Sequence, residues 1–385
     1  MGSDLKIKKL PFLIGVNDVP GNYGLPTKLP FRLEQDDETG LIRQKYSRAI
    51  DTYLRRAYSM GSSLSTPLGR GSFGKRRADE AIKMILMAIS KPLRSMDILE
   101  VGCGDGYLLA ELQNMGAKEV TGCEPGNSIG NKDKNNKITI VKNFFSPILF
   151  NKLFDLVLSY GVLEHINQPI ESVKSMISCI KDEGQLFIGV PNCEYKMKLG
   201  DPGILAHEHW SYFTPNSLKA TLLTAGLEQV KVIVGQNGAM VYGWGVKPKT
   251  MRKQKNHFIK REKKLYLDFC SKIKIKIPKL QERIDRLLKS GGEIGFYGGG
   301  TQLASLLKFK VPLRFFDGDK AKWGKYFPGF NSPIEPAKNL ITSPVNELWI
   351  IAVDYDREIR NDLNCLQLGD KIKIFSLKRF LGHIY

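Results

Sequence analysis

Between residues 97 and 112 a short apolar run, a cluster of glycines and a helically spaced apolar set follow one another. Residues 98–101 predict a buried strand, Gly102, Gly104 and Gly106 a turn, and Tyr107 onward a helix. The same rhythm continues downstream, with strands predicted at 119–123, 138–141, 154–158 and 185–190 and a helix at 216–225 ending in Gly226. Residues 230–234 and 240–246, joined through Gln236-Asn237-Gly238, read as an antiparallel hairpin. Upstream, 41–58 and 76–90 carry amphipathic helix patterns, with Ile82, Ile85, Leu86 and Ile89 expected to face a sheet. Residues 1–39, rich in Pro and Gly, predict an irregular arm. The Ser/Gly/Pro-rich stretch 59–74 is either a lid or a plain connector.

A second unit of the same kind follows a basic, mostly helical stretch, 249–289, expected to break near Pro278; the Lys/Ile alternation of 272–277 also allows a strand there. Strands are predicted at 293–297, 313–316, 348–353 and 372–375, with Gly298-Gly299-Gly300 as a loop before a helix at 301–308. The fold class is therefore α/β, a doubly wound sheet plus a smaller C-terminal α/β domain. The expected division is 1–77 for arm, helix and substrate loop, 78–248 for the main sheet, 249–290 for the helical connector and 291–385 for the second sheet.

A chain of 385 residues is too long for one ordinary core, and an apolar fraction of 42% suffices for globular packing. The net charge of +19 reflects either a composition bias or an acidic partner, nucleic acid or a phosphate-bearing small molecule. Six cysteines stand singly with no C-x-x-C pair, which argues against zinc ribbons and disulfide frameworks and fits a reducing cytoplasm. No run approaches a membrane span and no leader-like segment opens the chain, so a cytoplasmic location is expected.

The first glycine loop is G-x-G-x-G, not the G-x-G-x-x-G that seats a pyrophosphate, and Glu100 precedes it. An acid there suits a ligand carrying an ammonium and a sulfonium. This run resembles the first motif of class I S-adenosylmethionine (SAM)-dependent methyltransferases. The resemblance implies a seven-stranded sheet with SAM as cofactor, held by Glu100, Gly102, Gly104 and Gly106, with Glu124 accepting both ribose hydroxyls. Asn143, Phe144 and Tyr160 are carried over as further cofactor contacts, Phe144 either stacking on adenine or serving as core. Leu163-Glu164-His165-Ile166 resembles the corresponding stretch of many small-molecule methyltransferases. No Asn-Pro-Pro-Tyr or Asp-Pro-Pro-Tyr follows the fourth strand, which lowers nucleic acid in rank.

Farther on, His207-Glu208-His209 sets two imidazoles around a carboxylate, without i, i+4 spacing or an evident third ligand, so no metal is expected. A carboxylate beside an imidazole more readily tunes a general base. The order of methyltransferase domain, helical connector and small C-terminal sheet resembles the nucleotide-sugar C-methyltransferases of deoxysugar pathways. That likeness implies catalytic roles for Tyr58, His165, Glu208 and His209, with His209 as base. This chain departs from that family in lacking a cysteine-rich zinc module and in carrying Ala206 where a tyrosine is common. Gly298, Gly299 and Gly300 are a potential phosphate cradle for the substrate. The implied partner is a nucleotide sugar, methylated at carbon or oxygen. The alternatives are an RNA methyltransferase, favoured by the charge, another small-molecule O-methyltransferase, and a SAM-binding scaffold without turnover.

Overall fold

The computed structural model describes residues 5–12, 15–21, 24–59, 71–126, 138–250, 259–299, 301–368 and 372–382. Two compact units are interleaved along the chain: Met1–Leu33, Tyr195–Glu208 and Leu265–Tyr385 form one, Glu34–Glu194 and His209–Lys264 the other.

The chain begins with β1 (Lys6–Pro11) and β2 (Lys28–Gln35), paired antiparallel where an irregular arm was expected. Prolines tolerated in turns are tolerated here too, because Pro30 falls at a register shift between the pairs Ile7↔Phe31 and Leu10↔Leu29. A bulge is where a strand can lack an N–H. Next, β3 (Ile42–Gln44) replaces the first turn of the expected helix, and α1 (Arg48–Ser59) supplies the remainder. Gly40 has φ 71°, a left-handed corner just before β3.

The larger sheet is built from α2 (Gly71–Ala88), β4 (Asp97–Val101), α3 (Tyr107–Asn114), β5 (Glu119–Cys123), β6 (Ile138–Val141), β7 (Phe154–Tyr160), α4 (Pro169–Ser178) and β8 (Ile180–Pro191). After α5 (Glu194–Leu199), β9 (Ser211–Tyr212) and α6 (Pro215–Thr224), the hairpin β10 (Glu228–Val234) and β11 (Met240–Val246) closes it. The seven strands lie in the order β10-β11-β8-β7-β4-β5-β6, parallel except for the β10–β11 hairpin and the β11–β8 pair. Strand order reverses between β4 and β7, and the carboxyl ends of these two strands frame the crevice where such sheets bind ligands. On α2, Ala78, Ala81, Met84, Ile85 and Ala88 are buried, and Ile82 and Ile89 pack against the same core as expected, while Leu86 is exposed.

The basic connector is one uninterrupted helix, α7 (Ile259–Lys289), with Pro278 inside it. Pro278 and Lys274, whose carbonyl the proline cannot serve, are both exposed, so the freed acceptor lies on the solvent-facing side of the helix. Phe269, Ile273, Leu280 and Ile284 are buried at helical spacing, which overrides the two-residue alternation of 272–277. The second sheet then follows: β12 (Ile294–Tyr297), α8 (Thr301–Leu306), β13 (Arg314–Asp317), β14 (Ile334–Pro336), α9 (Asn339–Thr342), β15 (Glu347–Ile350), α10 (Asp356–Cys365), β16 (Lys373–Ser376) and α11 (Leu377–Gly382). Its order is β14-β13-β12-β15-β16, all parallel, over a core that includes Phe296, Phe315 and Trp349. No helix among the described residues is long and apolar enough to cross a membrane.

Candidate active site

Every residue of β4 is buried, and the chain leaves it through three glycines at φ 75°, 54° and 79°, Gly102, Gly104 and Gly106. Gly102 admits nothing larger, since a Cβ there would stand 2.3 Å from Val162 Cγ2. Gly106 is the left-handed N-cap of α3. The loop is fastened to β5, where Gly102 and Cys103 both donate to the Cys123 carbonyl at 2.8 and 3.3 Å. Gly122 completes the close approach, because its Cβ would fall 2.5 Å from Cys103 Sγ. Burial raises both thiols, that of Cys123 to about 11, so these cysteines are small neutral packing groups.

Two carboxylates face this loop. Glu124 accepts the Gly104 amide at 3.0 Å and the Gly126 amide at 2.8 Å, one on each oxygen, which fixes the carboxylate and leaves lone pairs for two hydroxyls. Glu100 is 2% exposed, and its Oε2 has no hydrogen-bond partner among the described residues. Burial, together with repulsion from Glu124 and Asp105, pushes its carboxyl up to about 8. An orphaned buried acid beside a glycine loop fits a ligand that brings positive charge, which SAM does. Asn143 receives the Cys123 thiol on its carbonyl at 3.2 Å. Phe144 is 46% exposed at the outer end of β6, with Arg55 Cζ 6.0 Å from its ring. Tyr160 ends β7 with its hydroxyl accepting from Arg77 Nε at 3.2 Å.

The other half of the crevice collects imidazoles. Leu163–His165 forms a single 3-10 turn just past β7. The Trp210 amide donates to the Glu164 carbonyl at 2.8 Å, and β9 pairs with β3 through Ile42↔Tyr212. These two ties bring His209 to His165, with ring centroids 4.9 Å apart and planes at 69°. Tyr58, on α1, sets its ring edge-on to His165 at 6.1 Å. His165 Nε2 lies 3.8 Å from Glu164 Oε1. Glu164 is 3% exposed and burial raises its carboxyl to about 8, against the opposing pull of its backbone hydrogen bond and of Arg77.

Tyr58, His165 and His209 are thus brought together in one unit, and the carboxylate grouped with the imidazoles is Glu164. Glu208 is fully buried in the other unit. His207 also turns away, into that unit, where it packs on Phe31 at 5.3 Å and burial lowers it to about 4. Sequence reasoning passed over Arg77 and Glu164. Arg77 stands on the helix that delivers the chain to β4, and Glu164 sits inside the Leu-Glu-His-Ile run; an acid directly beside an imidazole in that run was the available signal.

At the second sheet, Gly298 and Gly299 have φ 92° and 79°. A Cβ on Gly298 would stand 2.7 Å from that of Ala352, so packing alone demands this glycine, whereas Gly299 faces open space. Gly300 lies outside the described residues. Asp317, at the end of β13, is closed by Lys322 Nζ at 2.8 Å and the Asp319 amide at 2.9 Å.

Residues 73–232 match the family model described as a methyltransferase domain. With the strand order, glycine loop and acids above, this segment is a class I SAM-dependent methyltransferase domain, followed by an additional C-terminal α/β region. The chain is 27% identical over 238 residues to a tRNA U34 carboxymethyltransferase of Methylococcus capsulatus, covering 54% of this chain and 68% of that one. It is 30% identical over 121 residues to the protein of the same name from Helicobacter pylori, covering 29% and 46%. A mitochondrial ubiquinone biosynthesis O-methyltransferase of Dictyostelium discoideum is 28% identical over 122 residues, covering 27% and 38%. The chain spans about half the length of the Helicobacter relatives it matches. Among solved structures, the N-methyltransferase NodS of Bradyrhizobium japonicum bound to S-adenosylhomocysteine aligns at 16% identity and TM-score 0.39, over 52% of this chain and 99% of that one.

Proposed function

We propose that the chain methylates a nucleotide-linked sugar, at carbon beside a ketone or at a hydroxyl, with His209 as the base. The observation that carries this reading is the pairing of His209 with His165, 4.9 Å apart, beside the glycine-loop end of the sheet. Neutral imidazole is the side chain best matched to removing a proton near neutral pH. Bound at the loop, SAM supplies an electrophilic methyl group on sulfonium. Glu124 would hold the ribose, and Glu100 would meet the positive charge. His209 takes the substrate proton, while His165 and Tyr58 supply donors toward the oxygen on which charge develops. Arg77, beside Tyr160 and Glu164, keeps the crevice from accumulating negative charge.

At the second sheet, taken by itself, the open surroundings of Gly299 leave room for a phosphate-bearing ligand. The sugar assignment rests on the resemblance to deoxysugar enzymes and on the net charge of +19. Incubation with SAM and a panel of nucleotide sugars tests it. A gain of one methyl by mass on at least one sugar is expected, and no methylated sugar across the panel overturns it.

A second reading, methylation of RNA, is favoured by the tRNA in the names of the Methylococcus and Helicobacter relatives, which are carboxymethyltransferases, and by the charge of +19. In that case methylated tRNA appears in the same assay, and binding weakens steeply with salt.

A further inference from the structure

Glu164, His165 and His209 each offer one ligand atom, and the three atoms lie within 4.8 Å of one another. Two are imidazole nitrogens and one is a carboxylate oxygen. We propose that this trio is a binding site for a divalent transition cation of the zinc class, and that the cation antagonises methyl transfer.

Three observations support binding. Glu164 is 3% exposed and its Oε2 has no hydrogen-bond partner among the described residues, so one buried acceptor oxygen beside the imidazoles has no donor. The donor set, two nitrogens and one oxygen, is that of catalytic and inhibitory zinc sites and is poor for calcium or magnesium, which take oxygen. The backbone is already placed by the Trp210-to-Glu164 hydrogen bond and by the β3–β9 pairing. Ligand atoms around a zinc ion with bonds of ~2.0–2.1 Å stand closer together than 4.8 Å, and rotation of the two partly buried imidazoles would supply the difference. Around the trio stand Tyr58 on α1, Arg77 on α2, Tyr160 on β7 and Tyr212 on β9. Arg77 opposes a cation, which favours an ion able to bond covalently to imidazole over one held by charge alone.

The antagonism rests on the reading of His209 as base, because the lone pair that would take a proton is then committed to the metal. Binding does not rest on that reading. Calorimetric titration of the full chain with Zn²⁺, and separately with Mg²⁺, is run beside Co²⁺ titration followed by visible absorption. Cys365→Ser serves as background, since Cys365 is an exposed free thiol. One Zn²⁺ per chain is expected, with no heat from Mg²⁺ and Co²⁺ bands of a four- or five-coordinate ion. His165→Ala and Glu164→Gln, checked for folding by circular dichroism, should each weaken Zn²⁺ at least tenfold. Absence of Zn²⁺ binding, or binding unchanged in folded His165→Ala, overturns the site. For antagonism, methylation should fall with occupancy and return with chelator, and activity that rises or stays level as Zn²⁺ fills the site overturns it. A chain that binds Zn²⁺ yet methylates no sugar refutes the sugar reading alone, and one that methylates a sugar yet binds no Zn²⁺ refutes this site alone.

Discussion

The two parallel sheets of this chain share one winding. In each, the first strand of the parallel series is central, the next two extend to one side and the following two to the other, so both β4/β7 and β12/β15 frame a crevice. Both first strands are followed directly by glycine, Gly102 and Gly298, and both second strands lead to an acid, Glu124 just past β5 and Asp317 at the end of β13. The charges separate them. Glu124 is held by loop amides, and Glu100 stands behind it with an orphaned oxygen. In the second sheet the position matching Glu100 is Phe296, stacked on Phe315 at 6.1 Å, and Asp317 is already paired with Lys322. The two share the winding; the buried acid with an orphaned oxygen stands beside the first of them.

The largest effect is expected at the imidazoles, which among the described residues stand only at the first of the two crevices. His209→Asn should lower kcat by about 10²–10⁴-fold while leaving SAM affinity unchanged, as measured by turnover and calorimetry. A variant that methylates at the wild-type rate removes His209 from the mechanism and promotes His165.

Matched glycine substitutions sharpen the contrast. Gly102→Ala combines a left-handed φ with a 2.3 Å approach to Val162, and should destabilise the fold by about 2–4 kcal/mol in denaturant titration. Gly299→Ala carries the strain without the clash, and about 1 kcal/mol is expected. Equal losses would mean that packing around the two loops does not differ as described.

The acids give the next step. Glu124→Ala should weaken SAM by about 1–3 kcal/mol, whereas Asp317→Asn should leave SAM affinity where it was. A fall in SAM affinity on changing Asp317 breaks the comparison outright.

The smallest effect is a proton linkage. Glu100 in the free protein holds a proton up to about pH 8, and a cationic ligand favours its ionised form. SAM affinity should therefore rise with pH, by up to about tenfold per unit, and level off above 8. Calorimetry in two buffers of different ionisation heat should show proton release near pH 7, absent in Glu100→Gln. The same raised carboxyl makes the folded protein bind more protons than the unfolded chain between about 4.5 and 8, so this group's contribution to stability falls as pH rises through that window.

The first sheet was legible because its strands are short apolar runs punctuated by glycine, and β5, β6 and β11 fall where the pattern put them. Local pattern failed where distant partners decide. Residues 42–44 read as helix until Ser211 and Tyr212 are available to pair with them. The strand β14, only Ile334–Pro336, is too short to announce itself, and a helix containing Pro278 contradicts propensity until the exposure of that face is known. In the site, the glycines and Glu124 were readable because their spacing is local. The grouping of Glu164 with His165 and His209 was not, since it depends on where the chain returns.

That return has a temporal consequence. Residues 195–208 belong to the other unit, so His209 reaches His165 only after the chain has left and re-entered, while the loop and Glu124 are joined by a single β-α-β passage. Closing the longer excursion costs more chain entropy, and such contacts form later. A refolding chain should thus pass through a stage that already grips its cofactor but has no base, and recovery of SAM-dependent fluorescence should run ahead of recovery of turnover.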